Sequence, residues 1–341
     1  MSVKVPNLSK PAQRLYSVDV LRGIASLSVC YRHLTLSFPE GSFVRASGSW
    51  GGIGVQVFFV ISGFIIPYSL FKASYGLRSY GTFVAKRMIR LDPPYLAAIC
   101  LIIPLGYLCA MAPGFRGPAY HVSVSQVLLH FAYLNSFFKD NWVNPVFWTL
   151  GIEFQYYLLV GLLFPLIASR RRWLRYTVFA GFGGLAVIFS PASARPFVFH
   201  WIFLFMLGMT AFHWHCGVVG KWEFMGLMFL LSAAAWASLG WADATVGLAT
   251  ACAILFINST NAITQFFGRI SYSLYLIHNP TGVKTINLGM RIASSWRSQL
   301  LLLLVGLGVS LVAASALYRW VEKPAQKWSS AITYNPHRHV A

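Results

Sequence analysis

The sequence predicts an all-α fold, a polytopic membrane helical bundle of about ten transmembrane helices with both termini cytoplasmic, on three observations. Apolar runs near 20 residues, the length that spans a hydrocarbon core ~30 Å thick, recur from end to end. Only 10% of the 341 residues are charged and 57% are hydrophobic, whereas about a quarter of a soluble chain is charged. The 27 Lys and Arg outnumber 8 Asp and Glu and lie mostly between the apolar runs, as bases do in cytoplasmic loops and at anionic lipid. The net charge of +19 is therefore read as topology and membrane-lipid contact, with an anionic cytosolic ligand as a second use, and no nucleic-acid partner is expected. No stretch is left for a separate soluble domain, so a single integral-membrane domain is expected over 1–341.

The spans come in order. The first 15 residues are polar and basic (Lys4, Lys10, Arg14) without a cleavable apolar core, so the first helix, Val18–Phe38, is expected to be retained. A second run covers Trp50–Phe71. Lys72, Arg78, Lys86, Arg87 and Arg90 then mark a cytoplasmic segment, which puts the N-terminus inside as well. Asp92-Pro93-Pro94 is expected to end one helix and open the next, a third span over Tyr95–Ala112. Ser123–Phe138 is short and carries Gln126, His130 and Asn135. A crossing there would put Arg170, Arg171, Arg172 and Arg175 outside, so 113–146 is read as an outer surface or partly re-entrant segment. Phe147–Ala168 is the fourth span, and others fall near 176–190, 197–214, 224–240, 243–258, 265–282 and 299–319. Lys284, Arg291 and Arg297 fall outside, against the charge rule. The five cysteines show no CxxC spacing, so neither disulfide nor metal site is expected. No internal repeat stands out, which disfavours a transporter of duplicated halves.

Several polar residues sit where an apolar helix should have none. Arg22 and His33 lie eleven positions apart on the first helix, close to three turns, so they share a face ~16 Å apart along the axis. An ionisable group near the bilayer centre costs at least ~2.5 kcal/mol and normally faces a bundle interior or wet cavity. Glu153 is the only charge of its span, about five residues or ~8 Å below the outer boundary, and His33 lies ~23 Å above the inner one. His278, with Ser271 and Tyr275 on its stripe, lies ~18 Å up by the same count. A mid-to-outer cluster of His33, Glu153 and His278 is therefore expected, against the plainer reading of a buried hydrogen-bond network. Arg22, Arg87, Arg90, Arg269 and Arg319 gather near the cytoplasmic boundary. Guanidinium groups bind phosphates bidentately, so these arginines suit a polyphosphate ligand, although each taken singly also reads as a topology anchor. Asp19 lies one turn before Arg22 and is placed to pair with it.

Five stretches together carry a resemblance: the Arg22/His33 spacing, the Arg87/Arg90 pair after FFVISGFII, WTLGIEFQYYL (148–158), SYSLYLIHNP (271–280) and YRWVEKP (318–324). In that order they resemble the acyltransferase family 3 membrane proteins, which include acetylases of O-antigen, nodulation factor, exopolysaccharide and macrolides, and the likeness runs from about Tyr16 to Pro324. The resemblance implies a core of about ten helices in a bacterial cytoplasmic (inner) membrane. It also implies transfer of an acyl group, acetyl above all, from acyl-coenzyme A to a hydroxyl of a carbohydrate or glycolipid acceptor, without a metal. In that light Arg22 and His33 are the family's essential pair, Arg87 and Arg90 its basic pair and Glu153 its membrane carboxylate; the soluble esterase-like domain of some members is expected to be absent.

The resulting expectations assign catalysis to His33, as general base, and Glu153, and donor binding to Arg22, Arg87, Arg90 and Arg319. Asp19, Trp148, Ser271, Tyr275, His278 and Asn135 are expected to touch or support substrate. Acceptor specificity is placed in the outer loops and 113–146, and the oligomeric state is left open. The rival is a proton-coupled transporter or flippase of a lipid-linked saccharide, with His33, Glu153 and His278 as relay.

Overall fold

The structure, a computed structural model, describes residues 15–112, 120–138, 142–191, 194–293 and 295–334. Lys4, Lys10 and Arg14, and 113–119 and 139–141 of the expected outer segment, lie outside the described residues. Among the described residues all regular structure is helical: α1 (Tyr16–Thr35), α2 (Phe43–Ser47), α3 (Gly54–Lys72), α4 (Tyr80–Ala110), α5 (Val124–His130), α6 (Trp148–Ile167), α7 (Arg172–Ile188), α8 (Ile202–His215), α9 (Lys221–Leu239), α10 (Trp241–Phe256), α11 (Ala262–Ile277), α12 (Lys284–Gly289), α13 (Trp296–Leu317) and α14 (Lys323–Ala331). Five helical stretches, 43–72, 77–110, 145–167, 221–239 and 296–331, are long and apolar enough to cross a membrane. Helix starts are written locally: Asn261 and Thr264 form a capping box at α11, as do Ser295 and Ser298 at α13.

Two close crossings set the frame. A Cβ on Gly63 of α3 would lie 2.1 Å from the Phe205 carbonyl oxygen of α8, and one on Gly208 would lie 2.1 Å from that of Val60. Only glycine admits this approach, and it leaves α8 apolar all round and buried from Ile202 to His213. The second crossing joins α1 and α11, where a Cβ on Gly268 would lie 2.4 Å from the Asp19 carbonyl oxygen. From it both helices climb in the same direction. His33 lies ten positions beyond Gly23, and His278 ten beyond Gly268, so equal rise carries the two imidazoles to one level, ~15 Å from the crossing.

Two expectations about the backbone change. Asp92-Pro93-Pro94 does not end a helix, for α4 runs unbroken through both prolines over 31 residues. Tyr95, Ala98 and Ile99 bury the turns beyond, and the Tyr272 hydroxyl donates to the Leu91 carbonyl at 3.0 Å, in the turn that the prolines loosen. Packing against a neighbouring helix thus keeps α4 continuous where Pro93 and Pro94 leave the Ile89 and Arg90 carbonyls without a helical N–H. In 113–146, α5 has seven residues, a rise of only ~10 Å, so Ser123–Phe138 does not cross. The α11 and α13 spans each run on into a π-helical turn, Asn279–Val283 and Tyr318–Glu322. These wider turns rotate the residues beyond them and often accompany functional sites.

Candidate active site

At the upper ends of α1 and α11 the two imidazoles meet, with His33 Nδ1 and His278 Nε2 2.8 Å apart. Their ring centroids are 5.0 Å apart and the planes differ by 8°. With the bonded nitrogens almost on the centroid line, the rings lie edge to edge, along the in-plane lone pair of an imidazole. The other nitrogen of His278, Nδ1, is 2.9 Å from the Leu274 carbonyl oxygen. A carbonyl only accepts, so His278 Nδ1 carries a hydrogen. His278 is 0% exposed in an apolar setting, where an imidazole stays neutral, so its Nε2 is a lone-pair acceptor. His33 Nδ1–H must then donate to it, which leaves the proton-accepting lone pair of half-buried His33 on Nε2. This is the tautomer required of a general base.

Below the dyad lies a cavity of about 820 Å³ whose lining includes Arg22, Arg87, Arg90, Glu153, Tyr157 and Tyr275. Arg22 comes from α1, the other two arginines from successive turns of α4. Arg87 donates to Ser69 Oγ at 2.9 Å and lies over the Tyr157 ring, 5.5 Å from its centroid. The ion pairs among the described residues are Arg45–Glu40, Arg172–Glu223 and Arg175–Glu223, so the cavity arginines have no such carboxylate partner. Glu153 is held by Ser62, whose hydroxyl donates to Oε1 at 2.5 Å. Three guanidinium groups line the cavity with one carboxylate, Glu153, and buried Glu322 lies within electrostatic reach of Arg22 and Arg90, so positive charge still exceeds negative beside a largely apolar wall, a field suited to an anion.

Tyr275 closes the upper end of this cavity. Its ring lies 6.2 Å from that of His278 and 5.7 Å from that of Phe58, and its hydroxyl is 2.6 Å from Thr149 Oγ1 and 3.0 Å from the Val146 carbonyl oxygen. The arginine cavity therefore ends one ring away from the dyad. On the far side a second cavity of about 1040 Å³, open to solvent, is lined by His33 with Tyr120, Asn144, Asn279, Lys284 and Asn287.

Several expected partners separate. Glu153 does not join His33 and His278 but lies with the arginines. The depth count took Phe147 as the membrane boundary, whereas Asn144 is already buried and donates to the Leu276 carbonyl at 3.0 Å, level with the dyad. Glu153, nine positions farther along, thus sits ~13 Å deeper. Arg319 and Arg269 are exposed and do not line the arginine cavity. The π-turn that carries Arg319 turns Glu322 inward instead: it is 2% exposed and accepts from the Ser273 hydroxyl at 2.6 Å and the Ser273 amide at 3.2 Å. Ser271 bonds within its own helix, to the Gly268 carbonyl. Trp148 packs on Trp201 with centroids 5.5 Å apart, and Asn135 is buried in the outer segment, donating to the Gln126 carbonyl. Asp19 lends its backbone carbonyl to the α1–α11 crossing. Ser62, Thr149, Tyr157 and Glu322 escaped the sequence reading; hydroxyls in apolar helices were the available signal, because each needs a partner there. Among the described residues no three His, Cys, Asp or Glu side chains gather as metal ligands would.

Comparison with known proteins identifies the family. Residues 15–319 match the acyltransferase domain family. A putative acetyltransferase of Acidianus two-tailed virus is 33% identical over 155 residues, 44% of this chain and 41% of the relative. Protein 2 in the picA locus of Rhizobium radiobacter is 30% identical over 112 residues, 32% and 53% of the two chains. The O-acetyltransferase OatA of Staphylococcus aureus is 25% identical over 174 residues, 47% and 27%. The alignments thus span about half or less of these relatives. No solved structure matches the chain. Since the matched stretch encloses the histidine dyad and every arginine of the cavity below it, the chain belongs to the acyltransferase 3 family of membrane proteins.

Proposed function

We propose that the protein is an O-acyltransferase of the bacterial cytoplasmic membrane that moves an acetyl group from acetyl-coenzyme A to a hydroxyl of a carbohydrate or glycolipid. The observation that carries this is the hydrogen-bonded series Leu274 carbonyl, His278, His33, which leaves a free Nε2 on His33 in the second cavity while His278 stands one ring from the cavity holding three arginines. In this reading the bundle crosses the membrane ten times as one domain, with both termini and the arginine end in the cytoplasm, consistent with the bases of 72–90 and 170–175.

The donor's phosphates pair with Arg22, Arg87 and Arg90, none of which forms a direct ion pair among the described residues. The pantetheine arm lies along the apolar wall toward Tyr275, past Glu153, whose carboxylate is held by Ser62 and reached by Tyr157; this moves Glu153 from the base to the donor. Beyond Tyr275, where His33 lines the second cavity, its Nε2 takes the proton of the acceptor hydroxyl as the hydroxyl oxygen attacks the thioester carbonyl. The carbon–sulfur bond breaks, and the His33 imidazolium returns the proton to the leaving thiolate, giving an O-acetyl ester and free coenzyme A. His278 holds His33 in the working tautomer while the charge passes, as the third group of a catalytic triad does. The transporter reading needs a proton relay of His33, Glu153 and His278, whereas Glu153 stands apart from the dyad and a relay has no use for the arginines. Purified protein supplied with acetyl-labelled coenzyme A and a mixture of surface saccharides yields labelled saccharide under this proposal. Transport of saccharide across proteoliposomes without any labelled product would overturn it.

A further inference from the structure

Lys284 breaks the charge rule, for it falls at the end of the bundle where bases are disfavoured. It opens α12, directly after the π-turn that succeeds His278, is half-buried, and lines the second cavity together with His33. None of the ion pairs among the described residues involves this half-buried lysine, so its charge is left for a ligand in the cavity. Tyr120 forms part of the wall, the hydroxyl end of its ring buried against Gly106 of α4. A second feature fixes the wall beside the ammonium. Asn279 donates through Nδ2 to Asn144 Oδ1 at 2.9 Å, and Asn144 is itself tied to the Leu276 carbonyl, so Asn279 keeps its own carbonyl oxygen turned from that bond and free to accept.

We propose that this cavity is the acceptor site and that the acceptor is an anionic saccharide, with Lys284 pairing a carboxylate or phosphate oxygen while Asn279 meets a sugar hydroxyl beside His33. The assignment rests on the acyl-transfer reading for the direction of chemistry, and on the cavity alone for the charge. Two sources supply the oxyanion: an acidic sugar, or the phosphate that joins a sugar to a lipid carrier. A neutral sugar would leave the ammonium unpaired and lose one charge-assisted hydrogen bond, about tenfold or more in affinity.

The test uses the full chain in nanodiscs of phosphatidylcholine and two matched pairs of probes, trigalacturonate against maltotriose and polyprenyl diphosphate against polyprenol. Binding is read by microscale thermophoresis for the wild type, Lys284→Gln and Lys284→Arg. The expected result is that the anion of one pair binds the wild type at least about tenfold tighter than its neutral partner. The pair that shows it names the source. Lys284→Gln loses that preference and Lys284→Arg keeps it. Equal binding within both pairs, no binding of either, or a preference that survives Lys284→Gln overturns the proposal. Binding of labelled acetyl-coenzyme A is measured on the same samples: its failure, with the Lys284-dependent preference intact, sinks the acyl-transfer reading and leaves the anion site standing.

Discussion

Replacing His278 by phenylalanine separates the support of the base from the base itself. Phenylalanine fills a comparable volume at a fully buried position, and Leu274 keeps the backbone N–H of residue 278 at 3.1 Å, so the helix end persists. What disappears is the acceptor 2.8 Å from His33 Nδ1. A buried N–H left without a partner costs ~1–3 kcal/mol, and the imidazole escapes by turning over or by moving its hydrogen to Nε2, where it no longer serves as a base. Each 1.36 kcal/mol of transition-state stabilisation is tenfold in rate, so turnover should fall about ten- to a hundredfold. Acetyl-coenzyme A affinity should stay within about twofold, because no arginine-cavity contact is removed. Single-turnover transfer of labelled acetyl groups, beside equilibrium binding of the labelled donor, reads both quantities. His278→Gln, which offers a side-chain carbonyl to His33, should recover part of the loss. Wild-type turnover in His278→Phe would refute the claim that the dyad sets the tautomer.

The same geometry supports other expectations. Arg87→Met and Arg90→Met should each weaken donor binding about ten- to a hundredfold, with an effect that shrinks at high salt, as measured by titration with acetyl-coenzyme A. Gly268→Val, whose Cβ would meet the Asp19 carbonyl oxygen at 2.4 Å, should lower the thermal midpoint by the equivalent of ~1–3 kcal/mol, whereas Gly181→Ala on α7, with open space around it, should leave the midpoint unchanged or raise it. His130, outside the spans, donates from Nδ1 to the Gln126 carbonyl at 2.7 Å and accepts at Nε2 from the Val143 amide at 3.3 Å, and burial holds its pKa below the ordinary value despite the first bond. Its contribution should therefore be complete above the unfolded value of ~6.5 and lost as pH falls through the depressed folded value. Hydrogen exchange of 142–147 should accelerate in mild acid, and that acceleration should vanish in His130→Phe.

How much of this could be read in the chain varied with the kind of signal. The apolar stretches located the helices because lipid-facing length and composition are properties of a single segment. The Arg22–His33 stripe was legible for the same reason, being fixed by one helix's own period. The approach of α1 to α11 was written in Gly23 and Gly268, and the equal ten-residue climb to His33 and His278 becomes meaningful only once that crossing is known. Glu153 was misplaced because its depth depends on where α6 begins, which the contact of Asn144 with Leu276 decides, and not on hydropathy. Arg319 and Glu322 exchanged roles because a π-turn rotates residues away from the α-helical count. At Pro93–Pro94 local stereochemistry argued for a break, but burial of Tyr95 and the Tyr272 hydroxyl outweighed it.

The central claim is a division of labour, with the phosphates of the donor held by arginines at one end and the hydroxyl proton taken by His33 at the other. Equilibrium binding of labelled acetyl-coenzyme A to purified His33→Ala, with acetyl transfer measured on the same sample, tests it most directly. Wild-type binding and no transfer are expected. Wild-type transfer, or a donor affinity that collapses with the imidazole, would contradict it.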